Sequence, residues 1–266
     1  MTNMENFYIN QEGYSQTEMF RIINSLWKDD SIIKLKELND IDLSYIPIFR
    51  QVKFVIDYLI SYEEIKLTLT KALPTNLVKE IYSLGVIDDY LEFRMPKQLK
   101  EKDSMTVEIV HVLLKIMKLT KERNGIMTLT KKGKCISQNN VELLNLLLFA
   151  YTYFLNITYF DGYENYSIGV YAIGFSFLLV SKYGDEKRLS TFYAEKYFKA
   201  FPHLCNCIES RYSNIIDRVD RCYSLRTFER FMLQFGIIEI EKTKYPDSKT
   251  YIKKSALFDK MFQVKI

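Results

Sequence analysis

Residues 107–134, VEIVHVLLKIMKLTKERNGIMTLTKKGK, decide the first part of the fold. An apolar, helix-like stretch leads into two short strand-like runs, and Asn124-Gly125 lies between those runs. Asn-Gly is a strong signal for a hairpin turn, because both residues tolerate a positive φ. We therefore predict a helix over Val107–Lys118 and then a two-stranded hairpin, closed by the basic run Lys131–Lys134.

A similar order recurs near the carboxyl terminus, in residues 225–254, LRTFERFMLQFGIIEIEKTKYPDSKTYIKK. The helical spacing ends at Phe235, and Gly236 is typical of a helix stop. Strand-like runs follow at 237–243 and 250–254. The two stretches differ too much to be a sequence repeat, but their shared order predicts a second helix with a hairpin behind it.

Elements upstream of the first hairpin extend this pattern. Pro47 is suited to the first turn of a helix that we expect to run to about Ile60. Ile65–Thr70 alternates apolar and polar residues and predicts a strand. A further helix is expected to end at Gly85, and Ser104 is a candidate N-cap for the helix before the hairpin.

This order of helix, strand, helix, helix, strand, wing and strand resembles the winged-helix superfamily. Leu129–Gly133 resembles the LTxxG run that closes many winged helices, and residues 65–82 resemble the pattern LTxxGxLPxxxVxELY of bacterial proteins of unassigned role. Lys71 stands where that pattern has glycine. The resemblance implies a fold and no catalytic residue.

We therefore expect a mainly α fold with small β-hairpins, in which an aromatic helical segment joins two winged-helix modules. The aromatic segment holds two apolar helices and six tyrosines between Tyr151 and Tyr171. The expected parts are an amino-terminal helical segment at 1–46, module 1 at 47–136, the connector at 137–184 and module 2 at 185–266.

Composition favours a globular protein of the reducing cytoplasm. The chain has 266 residues, 48% of them hydrophobic, and only four cysteines. No signal-peptide pattern is found at the start of the sequence. Val141–Phe160 is long enough to span a bilayer, but it contains Glu142, Asn145 and Asn156, so we interpret it as core and expect no membrane insertion.

Catalytic and metal-binding patterns are weak. His203, Cys205, Cys207 and Cys222 could be drawn as zinc ligands, but structural zinc favours cysteine pairs with two to four residues between them, and only Asn206 separates Cys205 from Cys207. Phosphate loops, dinucleotide fingerprints and nucleophile elbows are missing from the sequence. We expect a non-enzymatic protein without a metal or cofactor.

Charge is distributed unevenly along the chain. The net charge is −5 over residues 1–90, +6 over 91–134, −2 over 135–210 and +5 over 211–266. The two basic blocks coincide with the two expected hairpins, and a local positive field suits contact with phosphates. Solvated hairpins are also commonly rich in lysine, so this coincidence favours nucleic acid without establishing it.

The helix before each hairpin is the element that would read DNA. In the first module it is mostly apolar, with Glu108, His111, Lys115 and Lys118 left outside, and it is a poor reader. The second module is the better candidate for a DNA site. Its candidate residues are Arg218, Arg221, Arg226, Thr227, Arg230, Gln234, Lys242, Lys244 and Lys249.

Two functions remain open at this point. The first is a DNA-binding or regulatory winged-helix protein with double-stranded DNA as its partner. The second is an assembly module without nucleic acid, which contacts a protein partner or a second copy through its aromatic segment. Salt-dependent binding to nucleic acid would favour the first, and a salt-insensitive complex would favour the second.

Overall fold

The computed structural model describes residue 10 and residues 12–163, 167–207, 215–243 and 248–265. Within these ranges the chain is mainly helical with small antiparallel sheets, so this part of the predicted fold class is confirmed. The α-helices are α1 Gln16–Asn24, α2 Asp40–Ser44, α3 Pro47–Tyr62, α4 Thr75–Leu84, α5 Asp89–Phe93, α6 Met105–Ile116, α7 Lys131–Ile136, α8 Asn140–Tyr153, α9 Ile173–Tyr183, α10 Ser190–Ala200, α11 Ile215–Ser224 and α12 Ala256–Met261.

A π-helix, Leu225–Met232, follows α11 directly, and short 3-10 helices lie at Glu101–Asp103, Ile157–Phe160 and Pro202–Cys207. The strands are β1 Ile33–Leu35, β2 Glu64–Lys66, β3 Thr120–Arg123, β4 Ile126–Leu129, β5 Arg188–Leu189, β6 Ile238–Lys242, β7 Thr250–Lys254 and β8 Phe262–Val264. They form three antiparallel sheets, with the strand orders β1-β8, β2-β4-β3 and β5-β7-β6.

The chain divides into two compact units. The central unit comprises Glu37–Asp161 with Gln234–Gly236. The terminal unit comprises the chain up to Lys36, Gly162–Leu233 and the chain from Ile237 onward. The helices α8 and α9 both fall within the connector predicted at 137–184, but they lie in different units. The four parts expected from the sequence, at 1–46, 47–136, 137–184 and 185–266, remain a prediction.

The first sheet segment, residues 47–136, lies in the central unit and contains α3 to α7. Pro47 begins α3 as predicted, and the predicted helices up to Gly85 and after Ser104 are present. The turn between β3 and β4 has φ of 52° at Asn124 and 73° at Gly125, which is why Asn-Gly occupies it. The first predicted hairpin is therefore confirmed.

The predicted strand Ile65–Thr70 is shorter than expected. It ends at Lys66, because Thr68 begins a turn in which its hydroxyl accepts the N–H of Ala72. Lys71 in this turn has a φ of 61°, in the left-handed region that glycine adopts without strain. The glycine of the bacterial pattern thus corresponds to a position where the backbone of this chain is left-handed.

Gly133 explains the resemblance to the LTxxG run. A Cβ on this residue would lie 2.2 Å from the carbonyl oxygen of Leu119, so no other side chain fits without a backbone shift. The hydroxyl of Thr130 accepts the N–H of Gly133 and caps α7. The run therefore fixes α7 directly against the start of the hairpin.

The second sheet segment, residues 173–261, contains α9 to α12 and all three strands of the third sheet. The paired strands β6 and β7 confirm the second predicted hairpin, although residues 244–247 of its turn lie outside the described part. The helix expected over 225–235 is instead a π-helix that continues α11. Its apolar side joins an aromatic core, in which the Phe228 ring contacts those of Tyr193 and Tyr223.

Val141–Phe160 contains α8 and a 3-10 helix and not one long apolar helix. Among the described residues, no helix has the length and apolar character needed to cross a membrane.

Candidate nucleic-acid interface

His111 is the centre of a buried ionic cluster in the first sheet segment. Its Nδ1 lies 2.7 Å from Oε1 of Glu101, and its Nε2 lies 2.9 Å from Oε1 of Glu122. Lys115 donates to the same oxygen of Glu122 at 3.0 Å. Ionised carboxylates only accept hydrogen bonds, so an imidazole that faces one with each nitrogen is suited to carry both protons and a positive charge.

Burial and charge oppose each other in this cluster. Burial lowers the pKa of His111, but the hydrogen bonds and negative charges of Glu101 and Glu122 outweigh it and raise the pKa above its ordinary value. Burial raises the pKa of Glu122, yet the hydrogen bonds from His111 and Lys115 leave it lowered overall. The histidine and Glu122 therefore stabilise each other's charged forms, which couples α6 to β3.

The positive side chains of the same segment are distributed differently from the negative ones. All eleven lysines and arginines of residues 91–134 are exposed. Of the five acidic residues in that block, Glu101 is buried, and Glu108 and Glu122 are half-buried. Because water-exposed charges determine the field that a ligand meets, this surface is more positive than the net charge of the block suggests.

The face of α6 that was expected to lie outside lines a groove, and His111 on this face is buried. Glu108, His111, Val112 and Lys115 share this face at helical spacing, and the groove has a volume of about 660 Å³. The loop at 68–75 and the 3-10 helix Glu101–Asp103 contribute the other walls. The expectation that this helix is a poor reader of DNA is consistent with this geometry, since a reader has to protrude.

The second sheet segment does not present the base-reading side chains that the sequence predicted. Arg226 is only 2% exposed, and its guanidinium donates to the carbonyl oxygens of Ile168 at 3.2 Å and Tyr163 at 3.0 Å. Thr227 is fully buried, and its hydroxyl donates to the carbonyl oxygen of Gly169. Gln234 is 4% exposed. These three assignments require correction, because a buried side chain cannot contact a base edge.

The burial of Arg226 results from contacts that are distant in sequence. Arg226 lies in the π-helix that continues α11, and the backbone at Tyr163 and Ile168 accepts its hydrogen bonds. Gly169, with a φ of 75°, lies so close that a Cβ on it would be 3.0 Å from Cβ of Arg226. These contacts were not predictable from sequence periodicity, because Tyr163 and Ile168 lie about sixty positions before Arg226.

The remaining candidates are divided by exposure. Arg221, Lys242 and Lys249 are exposed, and Arg230 is half-buried. The side chains of Arg218 and Lys244 lie outside the described part of the chain. Arg221 and Lys249 line a groove of about 480 Å³, which Asp220 and Glu229 also line. This groove therefore carries as many acidic as basic side chains.

Ion pairs reduce the positive charge of the second segment further. Lys242 lies 2.7 Å from Glu229, and Lys187 lies 2.5 Å from Glu241. Lys254 is paired with both Asp185 and Asp259. Such pairs contribute little to stability at a surface, but they place a negative charge beside each lysine that a phosphate would otherwise approach.

Sequence reasoning missed the groove on α6. Its lysines come from three separate stretches, at Lys71, Lys100–Lys102 and Lys115. The charged connection at 94–103 and the helical spacing from Glu108 to Lys115 were the available signals, but neither indicated that these stretches meet.

Comparison with known proteins adds one finding for this region. Residues 44–142 match the family model described as the Y4jL N-terminal domain. No curated protein and no solved structure matches the chain. The matched range includes α3 to α7 and all strands of the β2-β4-β3 sheet, so the family description covers the first sheet segment and no part of the second.

Proposed function

We propose that this chain is a non-enzymatic winged-helix protein that binds duplex DNA through its phosphates. Two winged-helix modules are part of the proposal. In each sheet segment the third strand lies between the first and the second, as β2-β4-β3 and as β5-β7-β6. In each, a helix follows the first strand and another precedes the hairpin, which is the order expected of a winged helix.

The observation that carries the DNA proposal is the exposure of every basic side chain in residues 91–134, where three of five acidic residues are buried or half-buried. Lysine and arginine at a surface bind phosphates by charge, without selecting a sequence. The burial of Arg226, Thr227 and Gln234 removes three of the side chains that were expected to select bases. The proposed mode is therefore attachment to the DNA backbone, with the first module as the main contact.

A titration of two labelled duplexes of unrelated sequence, at about 50 and 200 mM salt, tests this proposal. We expect both duplexes to bind with similar affinity and to weaken together as salt rises, because each phosphate contact contributes about 0.9 to the slope of log K against log salt. The absence of binding at the lower salt concentration would contradict the proposal, and so would a strong preference for one sequence.

The assembly module is the second candidate function, and exposed aromatic side chains favour it. Phe149, Tyr153, Phe154 and Tyr159 are 37%, 40%, 61% and 75% exposed. Phe149 contacts the rings of Tyr153 and Phe154 at centroid distances of 4.9 and 5.6 Å, so these side chains form a patch. Exposed apolar patches often mark protein interfaces.

Sedimentation of the wild type and of Phe154→Ser measures whether this patch joins two copies. If the patch mediates assembly, the wild type sediments as a dimer at high salt and the variant as a monomer. A monomeric wild type at all accessible concentrations would remove self-assembly from the proposal.

A further inference from the structure

The groove on α6 has the shape of a ligand site. Its volume of about 660 Å³ falls within the range of small-molecule pockets, which is about 300–1,000 Å³. Ala72, Leu73 and Val112 supply an apolar part of its lining. Thr68, Thr70 and Thr75 supply hydroxyl groups around it. Such a combination suits an organic molecule that has both a flat apolar part and a polar group.

The charged residues of the groove favour an anion. Lys71, Lys100, Lys102 and Lys115 line it, against the two carboxylates of Glu101 and Glu108. All four lysines are exposed and reachable from solvent. They come from three different stretches of the chain, so their convergence on one groove is a property of the fold.

Neither carboxylate opposes an anion strongly. Glu101 is buried, and both of its oxygens already have partners. Oε1 faces His111, and Oε2 accepts the N–H of Leu73 at 2.5 Å. Glu108 is half-buried, whereas all four lysines are exposed. The accessible charge of the groove is therefore mainly that of its lysines.

The walls of the groove also keep α6 out of the major groove of DNA. The face of α6 that would enter a duplex is flanked by the 68–75 loop on one wall and by residues 100–102 on another. A separate molecule or a flexible strand end can enter such a groove, but a duplex cannot engulf the helix. The occupant thus differs from the duplex of the proposed function.

We propose that this groove binds an organic phosphate of nucleotide size. The lysines hold the phosphate, and the half-buried apolar side chains of Ala72 and Val112 receive the base or a similar flat group. The phosphate has two possible sources, a free nucleotide and the phosphorylated end of a nucleic-acid strand. The inference rests on the groove alone and not on duplex binding.

Calorimetric titration with four probes tests the inference. The probes are adenosine 5′-monophosphate, adenosine, and a short single strand with and without a 5′-phosphate. They are titrated into wild type, Lys100→Ala/Lys102→Ala and the control Lys79→Ala/Lys97→Ala. The control removes two exposed lysines that do not line the groove.

We expect a phosphorylated probe to bind wild type and the control alike. Its affinity for the groove variant should be lower by a factor of about ten or more, because two charge-assisted contacts are lost. Binding of the mononucleotide without binding of adenosine identifies a free nucleotide as the source. Binding of the 5′-phosphorylated strand alone identifies a strand end. The inference is overturned if no phosphorylated probe binds, or if the groove variant binds as tightly as the control.

A measurement on the wild type avoids dependence on the variants. In methyl-labelled protein, a bound nucleotide should shift the signals of Leu73 and Val112 and leave that of Ile237, buried in the terminal unit, unchanged. Uniform small shifts, or none, would contradict the site. Duplex binding is measured separately, so loss of either activity is distinguishable from loss of the other.

Discussion

The basic blocks within or overlapping the two sheet segments have nearly equal net charge, +6 over residues 91–134 and +5 over 211–266, but their surfaces differ. In residues 91–134 all basic side chains are exposed, and three of the five acidic ones are buried or half-buried. In the second segment Lys242 and Lys254 are paired with carboxylates, and Arg226 is buried. A block of basic sequence therefore does not define a basic surface until the partners of each charge are known.

The physical difference lies in what the acidic residues contact. Glu101 and Glu122 face the buried His111 in the first segment, and Glu122 also pairs with Lys115, so one exposed lysine of residues 91–134 has a carboxylate partner. Glu229 and Glu241 face lysines at the surface of the second segment and neutralise those lysines. Four predictions sharpen or break this comparison, beginning with the largest expected effect.

Replacing Arg226 by alanine should destabilise the protein by about 3–4 kcal/mol, because it removes a buried charged donor and leaves two carbonyl oxygens without it. Urea unfolding measures this change. The exposed Arg221→Ala is the matched control and should change stability by less than about 0.5 kcal/mol.

The folded fraction of Arg226→Ala should bind duplex DNA as the wild type does, because the side chain is structural. A variant of unchanged stability that binds DNA more weakly would reinstate Arg226 as a contact residue and contradict the burial argument.

Replacing His111 by alanine should cost about 3 kcal/mol, since Glu101 and Glu122 then remain close together without the cation between them. The wild type should also show a pH dependence that the variant lacks. The pKa of His111 is raised in the folded state, so its contribution is complete below the unfolded pKa of about 6.5 and is lost as pH rises through the folded pKa.

Urea unfolding of both proteins at pH of about 6 and about 9 measures this dependence. The stability difference between wild type and variant should shrink at the higher pH. A difference that stays constant or grows would show that His111 is neutral in the folded protein.

Much of this fold was predictable because its signals are local. Pro47, Gly85 and Asn124-Gly125 act on their own backbone, and each occurs where an element begins, ends or turns. The burial of Arg226 was not predictable, since its partners at 163 and 168 are distant in sequence. The same holds for the groove, whose walls meet only in the folded chain. Exposure at a site depends on such long-range contacts, which helical periodicity does not report.

Replacing Gly133 by alanine should destabilise the first segment by about 2 kcal/mol, because the new Cβ would overlap the carbonyl oxygen of Leu119. In the second segment, Phe258 lies three positions after Ser255, the N-cap of α12, just as Gly133 lies three positions after Thr130, the N-cap of α7. Phe258 is buried among aromatic rings. Phe258→Leu serves as the comparison. It removes part of a buried side chain without introducing a clash, so it should destabilise the protein less than Gly133→Ala does.

The thermal unfolding midpoints of Gly133→Ala and Phe258→Leu measure the difference between their effects on stability. We expect Gly133→Ala to lower the unfolding midpoint more than Phe258→Leu does. An alanine at 133 that leaves the midpoint unchanged would show that α7 is not fixed by close contact with Leu119.

The central claim is that the first segment carries the DNA-binding charge, and two charge-matched triple variants test it most directly. One is Lys121→Ala/Arg123→Ala/Lys131→Ala, and the other is Arg221→Ala/Lys249→Ala/Lys253→Ala; all six side chains are exposed. Duplex affinity is measured for each across a salt series. The account predicts that the first triple variant lowers the salt slope by up to about 2.7 and weakens binding about tenfold or more, while the second changes affinity by less than about threefold. Weaker binding by the second variant than by the first would contradict it.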